Sequence, residues 1–87
     1  MRARNITAHF EFRGNVTREV FLAGSFNGWQ PAPMRKSAKS AWYADLPLEP
    51  GRHEYRFIVD GVWQEDPNAR EQTPNSFGSR NSVLLLQ

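Results

Sequence analysis

Ile6, Ala8, Phe10 and Phe12 alternate with Thr7, His9 and Glu11, so the first stretch offers one apolar face and one polar face. That period of two is the mark of a half-buried strand. Gly14-Asn15 then turns the chain, and residues 19–23 form a second strand whose centre, Val20-Phe21-Leu22, is too apolar for a free face. Residues 24–33 read as a loop, because Asn27-Gly28 is a strong turn dipeptide and Pro31 and Pro33 forbid regular pairing. A short strand is expected over 34–37, then a polar loop through Ser40. Trp42, Ala44, Leu46 and Leu48 share one parity against Tyr43 and Asp45, and Pro47 with Glu49-Pro50-Gly51 closes that strand.

The longest strand is expected over residues 52–60. His53, Tyr55, Phe57 and Val59 take one face, and Arg56 and Ile58 take the other. Asp60-Gly61 signals a hairpin, with Val62-Trp63-Gln64 as the returning strand. Residues 66–78 hold Pro67, Asn68, Pro74, Asn75 and Gly78, so they read as one long ordered loop, a type of segment that often carries function. Residues 81–86 form the closing strand. Strand signals about ten residues apart, with almost no helical period, predict an all-β fold: a single antiparallel β-sandwich spanning residues 1–87.

Composition narrows the chemistry. A chain of 87 residues is one domain, and its 39% hydrophobic and 23% charged content is that of a globular protein. No cysteine is present, which removes disulfides, thiolate catalysis and cysteine-based zinc sites. The longest apolar run, Val83-Leu84-Leu85-Leu86, is far too short for a membrane span, so no membrane partner is expected. No apolar segment follows the basic N-terminus as a signal peptide would require, so a cytoplasmic protein is expected. The net charge is +2 and the isoelectric point about 9.5, but the eleven basic residues are scattered. The densest group is Arg35-Lys36 with Lys39, a weak basis for a phosphate-binding stripe, so a nucleic-acid partner is not expected.

Catalysis is not expected either. His9 and His53 lie on separate strands without carboxylates at triad or metal-motif spacing. The adjacent pair Glu65-Asp66 suits a turn or cap better than acid–base work. No glycine-rich phosphate loop appears, and no cofactor or metal is implied. What stands out is the 13% aromatic content, with rings placed in turns. Trp29 follows the Asn27-Gly28 turn, Trp63 lies just past the Asp60-Gly61 hairpin, and Phe77 lies between Ser76 and Gly78. Each reads equally as a packing residue or a ligand contact, whereas Trp42 has the parity of a core residue. Flat rings outside a core suit the apolar face of a pyranose, whose hydroxyls need fixed polar partners. Arg56 and Asn81 could be such partners, or simply a solvated strand charge and a turn residue.

Two ordered strings resemble a known family. They are Val20-Phe21-Leu22-Ala23-Gly24-Ser25-Phe26-Asn27-Gly28-Trp29, and Gly51-Arg52-His53-Glu54-Tyr55-Arg56-Phe57-Ile58-Val59-Asp60-Gly61-Val62-Trp63 with Asp66-Pro67 behind it. They look like the signature of family-48 carbohydrate-binding modules, in particular the glycogen-binding domain of the AMP-activated protein kinase beta subunit and the modules that precede branching and debranching enzymes. The resemblance spans about residues 16–86. It implies an immunoglobulin-like sandwich that binds α-glucans of the glycogen or starch type without catalysis.

It also implies site roles. Trp29 and Trp63 match the tryptophans that stack on glucose. Arg56 stands where the kinase module has a lysine that bonds hydroxyls, and Phe77 stands where it has an apolar leucine that engages a curved chain. Asn81 matches a hydroxyl-binding asparagine. The alternative is an immunoglobulin-like interaction or structural domain, whose rings anchor a protein partner or a catalytic domain of the same pathway. A sugar site is expected to show isolated rings among polar donors, a protein interface a contiguous apolar patch.

Overall fold

The computed structural model describes residues 4–14, 17–37 and 40–87. Its strands are β1 (Ile6–Arg13), β2 (Val20–Gly24), β3 (Ala32–Pro33), β4 (Arg35–Lys36), β5 (Ala41–Leu48), β6 (Gly51–Val59), β7 (Val62–Gln64), β8 (Glu71–Pro74) and β9 (Arg80–Leu86), with one 3-10 turn at Ser25–Asn27. They form two antiparallel sheets. One has the order β1-β5-β4, and the other runs β3-β2-β6-β9-β8 with β7 also paired to β6. This is the expected immunoglobulin-like sandwich. The turn expected at Gly14-Asn15 lies partly outside the described residues, as does Lys39; Gly14 itself donates its backbone N–H to Ser40 O.

The core forms where the inward parities of the two sheets meet. Ala8, Phe10, Trp42 and Leu48 from the small sheet join Val20, Leu22, Tyr55 and Phe57 from the large one in a single buried cluster. Rings interlock across the gap: Phe10 meets Tyr55 edge-on at 4.9 Å, and Phe12 meets Phe57 at 5.5 Å. Edge-to-face contact aligns positive ring edges with negative faces. Trp42 is therefore a core residue, as its parity predicts.

Four local expectations need correction. Pro33 does pair, opposite Phe21, because β3 is an edge strand where a missing N–H costs nothing. Pro47 lies inside β5 rather than ending it. It faces Thr7 of β1, while β4 on the other side reaches only Trp42 and Tyr43, so the missing N–H breaks no ladder on that outer side. The short strand expected over 34–37 is only Arg35–Lys36. Met34 before it is the point where the chain leaves the large sheet for the small one, buried and held by its N–H to Val20 O at 2.8 Å. Finally, the long loop expected over 66–78 contains β8, an edge strand of polar residues recognisable only through its backbone pairing with β9.

Ile58 has the outward parity of Arg56 but is buried. Phe21 and Trp63 flank it in register on the neighbouring strands, so this part of the outer face is not free. The β6–β7 hairpin closes at Asp60 (φ 49°) and Gly61 (φ 85°), the two left-handed residues of a type I′ turn. Asp60 also accepts the backbone N–H groups of Arg18 and Glu19 at 2.9 Å each, pinning the hairpin to the start of β2.

Behind the outer face lies a buried polar cluster. The Tyr55 hydroxyl donates to Asp66 at 2.5 Å, and Asp66 N–H donates to Ser82 Oγ, which donates in turn to Gln72. Gln72 returns a bond to Asp66 O at 2.8 Å. Asp66 also caps Asn68 N–H, the turn role expected of it, but it is only 7% exposed and anchors three strands as well. Glu65 instead pairs with Arg80 through two parallel bonds.

Candidate carbohydrate-binding groove

The groove is built on the outer face of the large sheet, where β6 changes neighbours. Its first half pairs with β9, from Gly51↔Leu86 to Tyr55↔Ser82, and its last residues pair with β7, from Phe57↔Gln64 to Val59↔Val62. Arg56 falls at this junction, opposite Ala23 on its other side. An open groove of about 590 Å³ lies here, and Trp29, Arg56, Trp63, Phe77 and Asn81 all line it. Side chains from four separate stretches of chain thus come together, with Ser25, Glu54 and Asn75 among them.

Trp29 is presented by a strained turn. Asn27 Oδ1 accepts the Gly24 N–H at 3.0 Å, and Trp29 N–H donates back to Gly24 O at 2.9 Å. Gly28 then takes φ 66°, where an L side chain is disfavoured, and Trp29 follows at φ 62°. A bulky residue in the left-handed region costs on the order of 1–3 kcal/mol and recurs where a site needs it. The ring is left half-buried at the groove rather than in the core. Trp63, held by the type I′ hairpin, is 42% exposed.

Phe77 is 90% exposed at the tip of the β8–β9 loop. Asn75 shapes that loop. Its Oδ1 accepts from the N–H groups of Phe77 (2.9 Å) and Ser79 (3.2 Å), while its Nδ2 reaches Asn81 Oδ1 at 3.0 Å. Arg56 Nη1 donates to Ser79 Oγ at 3.1 Å, tying β6 to the same loop. Its Nε is buried and finds no acceptor among the described residues. Asn81 Nδ2 donates to Glu54 Oε1 at 3.0 Å, and Arg52 donates to the other oxygen of that carboxylate at 2.5 Å. These bonds to Asn81 and Arg52 hold the Glu54 carboxyl below the ordinary glutamate range, against the opposing effect of burial.

Sequence reasoning missed Glu54, Asn75 and Ser79. Glu54 was legible as a candidate, since it shares its outward parity with Arg56; Asn75 had the turn chemistry of an Asx residue. The two histidines lie elsewhere. His53 bonds Glu49 O at 2.7 Å, a structural role. His9 sits on the outer face of the small sheet between Asp45 (2.6 Å) and Glu11 (3.3 Å).

Comparison with known proteins agrees with this architecture. A solved structure of the enterobactin esterase FES from Shigella flexneri superposes on 99% of this chain and 31% of its own, with a TM-score of 0.78 at 14% identity, a likeness of fold alone. The AMP-activated protein kinase subunit beta-1 of Sus scrofa is 39% identical over 70 residues, covering 80% of this chain and 56% of that protein. The human subunit is equally similar over 80% of this chain and 25% of its own length. Protein FLOURY ENDOSPERM 6, chloroplastic, from Oryza sativa subsp. japonica is 48% identical over 73 residues, 83% of this chain and 13% of its own. The chain therefore spans about half the length of these curated relatives, or much less. The family model described as the glycogen recognition site of AMP-activated protein kinase matches residues 6–87, and the chain belongs to that family.

Proposed function

We propose that this protein binds α-glucan chains, of the glycogen or starch type, in the groove lined by Trp29, Arg56, Trp63, Phe77 and Asn81, and that it carries out no catalysis there. The observation that carries the reading is the convergence of three exposed or half-exposed rings with fixed polar groups in one groove. Indole faces offer apolar area to the C–H face of a pyranose, and the amide and guanidinium groups between them suit its hydroxyls. The matched family is a recognition site rather than a catalytic domain.

The polar groups interleaved with the rings favour a sugar over a protein surface, which would be a contiguous apolar patch. In a longer protein, the groove would hold a partner or catalytic domain of the same pathway against its glucan. The deciding experiment is a tryptophan-fluorescence titration with maltooligosaccharides, β-cyclodextrin and cellooligosaccharides. Saturable binding of the first two and none of the third is expected. No response to any α-glucan would overturn the reading. A stacked, uncharged ligand releases few ions, so affinity should change little between about 50 and 500 mM salt, whereas a nucleic-acid complex would weaken by orders of magnitude.

A further inference from the structure

Phe77 lines the groove from the tip of the β8–β9 loop with its ring 90% exposed, so its place depends on the backbone beneath it and not on packing around it. The β8–β9 ladder ends at Pro74↔Arg80, and a bond from Asn75 N–H to Ser79 O at 3.0 Å closes the base of the loop. That bond ties the two ends together. It does not by itself set the course of the chain between them.

The side chain of Asn75 does. Its Oδ1 accepts the N–H groups of Phe77 at 2.9 Å and Ser79 at 3.2 Å, taking the place of a backbone acceptor inside the loop. Backbone N–H groups only donate, so the Asn75 amide cannot reverse. Its Nδ2 is thereby turned toward Ser79 Oγ and Asn81 Oδ1, both at 3.0 Å. Ser79 Oγ in turn accepts from Arg56 Nη1 at 3.1 Å. One side chain thus ties the carrier of the exposed ring to the polar groups of the groove.

We infer that Asn75 is a positioning residue of the glucan groove, whose side-chain oxygen holds the Phe77 backbone so that the ring is already in place when a curved chain arrives. The inference rests on the glucan reading above and adds to it which side chain makes Phe77 effective. A ligand that had to order the loop itself would lose that ordering cost from its affinity. Asn75→Ala removes the acceptor and leaves both N–H groups to water. Asn75→Asp keeps an acceptor for them and gives up the donor that faces Ser79 and Asn81.

The test is a double-mutant cycle. β-Cyclodextrin is titrated against the whole chain carrying no change, Asn75→Asp or Asn75→Ala, each with and without Phe77→Ala, and the melting temperature of each protein is recorded. The effect of Phe77→Ala is read within each background, so whatever the change at position 75 does to Asn81 cancels. The expected result is a roughly tenfold loss from Phe77→Ala in the unchanged and Asn75→Asp backgrounds, and less than about twofold in Asn75→Ala. A role in stability alone would lower the melting temperature of Asn75→Ala and leave the Phe77→Ala effect at full size, which would overturn the inference. So would loss of that effect in the Asn75→Asp background, or its absence from the otherwise unchanged chain. Failure of the unchanged protein to bind any α-glucan would remove the glucan reading itself, and this inference with it.

Discussion

Arg56 Nη1 donates to Ser79 Oγ at 3.1 Å and so joins the middle of the longest strand to the loop that carries Phe77. One guanidinium thus lines the groove and braces its wall. A lysine would bring one ammonium on a flexible stem in place of a planar fork of five donors, and could not both hold Ser79 and keep the remaining donors aimed into the groove in the same geometry. Arg56→Ala is expected to weaken glucan binding at least about tenfold, the scale of a lost charge-assisted hydrogen bond. Arg56→Lys should recover only part of that loss. Calorimetric titration of the two variants with maltoheptaose checks this, and full recovery by lysine would show that charge alone matters.

The three tryptophans should separate cleanly by role. Trp42 is buried in the core cluster, so Trp42→Ala is expected to cost about 3–5 kcal/mol, a large share of the stability of so small a domain. Trp63→Ala should abolish most glucan binding while the melting temperature stays near that of the parent. Trp29→Gly should do the same and relieves the left-handed backbone at φ 62°. Thermal melts and fluorescence titrations on the same samples decide. Equal destabilisation by all three would place Trp29 and Trp63 in the core.

Phe77 tests whether the groove reads chain curvature. Its ring is almost fully exposed, and the loop beneath it is held by Asn75, so the ring does not pin the loop. Phe77→Ala should leave the melting temperature unchanged. It should weaken β-cyclodextrin and long helical glucans by roughly tenfold, as expected for about 1–2 kcal/mol of apolar burial, and weaken maltotriose far less. Phe77→Leu should restore much of the difference. A uniform loss across ligands with a lower melting temperature would contradict this account.

The buried bond from Tyr55 to Asp66 is expected to matter for stability and not for binding. Tyr55→Phe leaves a buried carboxylate short of a donor and should cost about 1–3 kcal/mol by denaturant titration, with glucan affinity retained. Burial, followed by the bond to Asp66, pushes the Tyr55 hydroxyl far above its ordinary range, so its tyrosinate absorbance should appear only as the protein unfolds in alkali.

His9 provides a pH signature on the opposite sheet. Its bonds to Asp45 first, and Glu11 second, raise its pKa above the ordinary 6.5. A group whose folded pKa exceeds its unfolded value stabilises fully below the unfolded value, and that contribution is lost as pH rises through the folded one. The gap in melting temperature between the parent and His9→Gln should therefore be larger at acid pH than at alkaline pH. It should also be small throughout, because the pair is solvent-exposed. Resonance titration of the His9 ring measures the shift directly.

Strand parity is local, and so the sequence by itself determined most of the sandwich. The alternation from Ile6 to Phe12 and from His53 to Val59 places each side chain on a face without reference to any other strand. The Asp60-Gly61 turn and the Asn27-Gly28 turn carry their own backbone chemistry, which is why Trp29 and Trp63 could be picked out as lying outside the core. Register decided the rest. Ile58 and Arg56 have the same parity, yet only the strands beside them make one buried and leave the other at the groove. β8 has no apolar alternation and exists because β9 offers it a ladder. The roles of Glu54, Asn75 and Ser79 depend on partners distant in the chain, since a polar side chain can bond many groups and only the folded neighbourhood selects one.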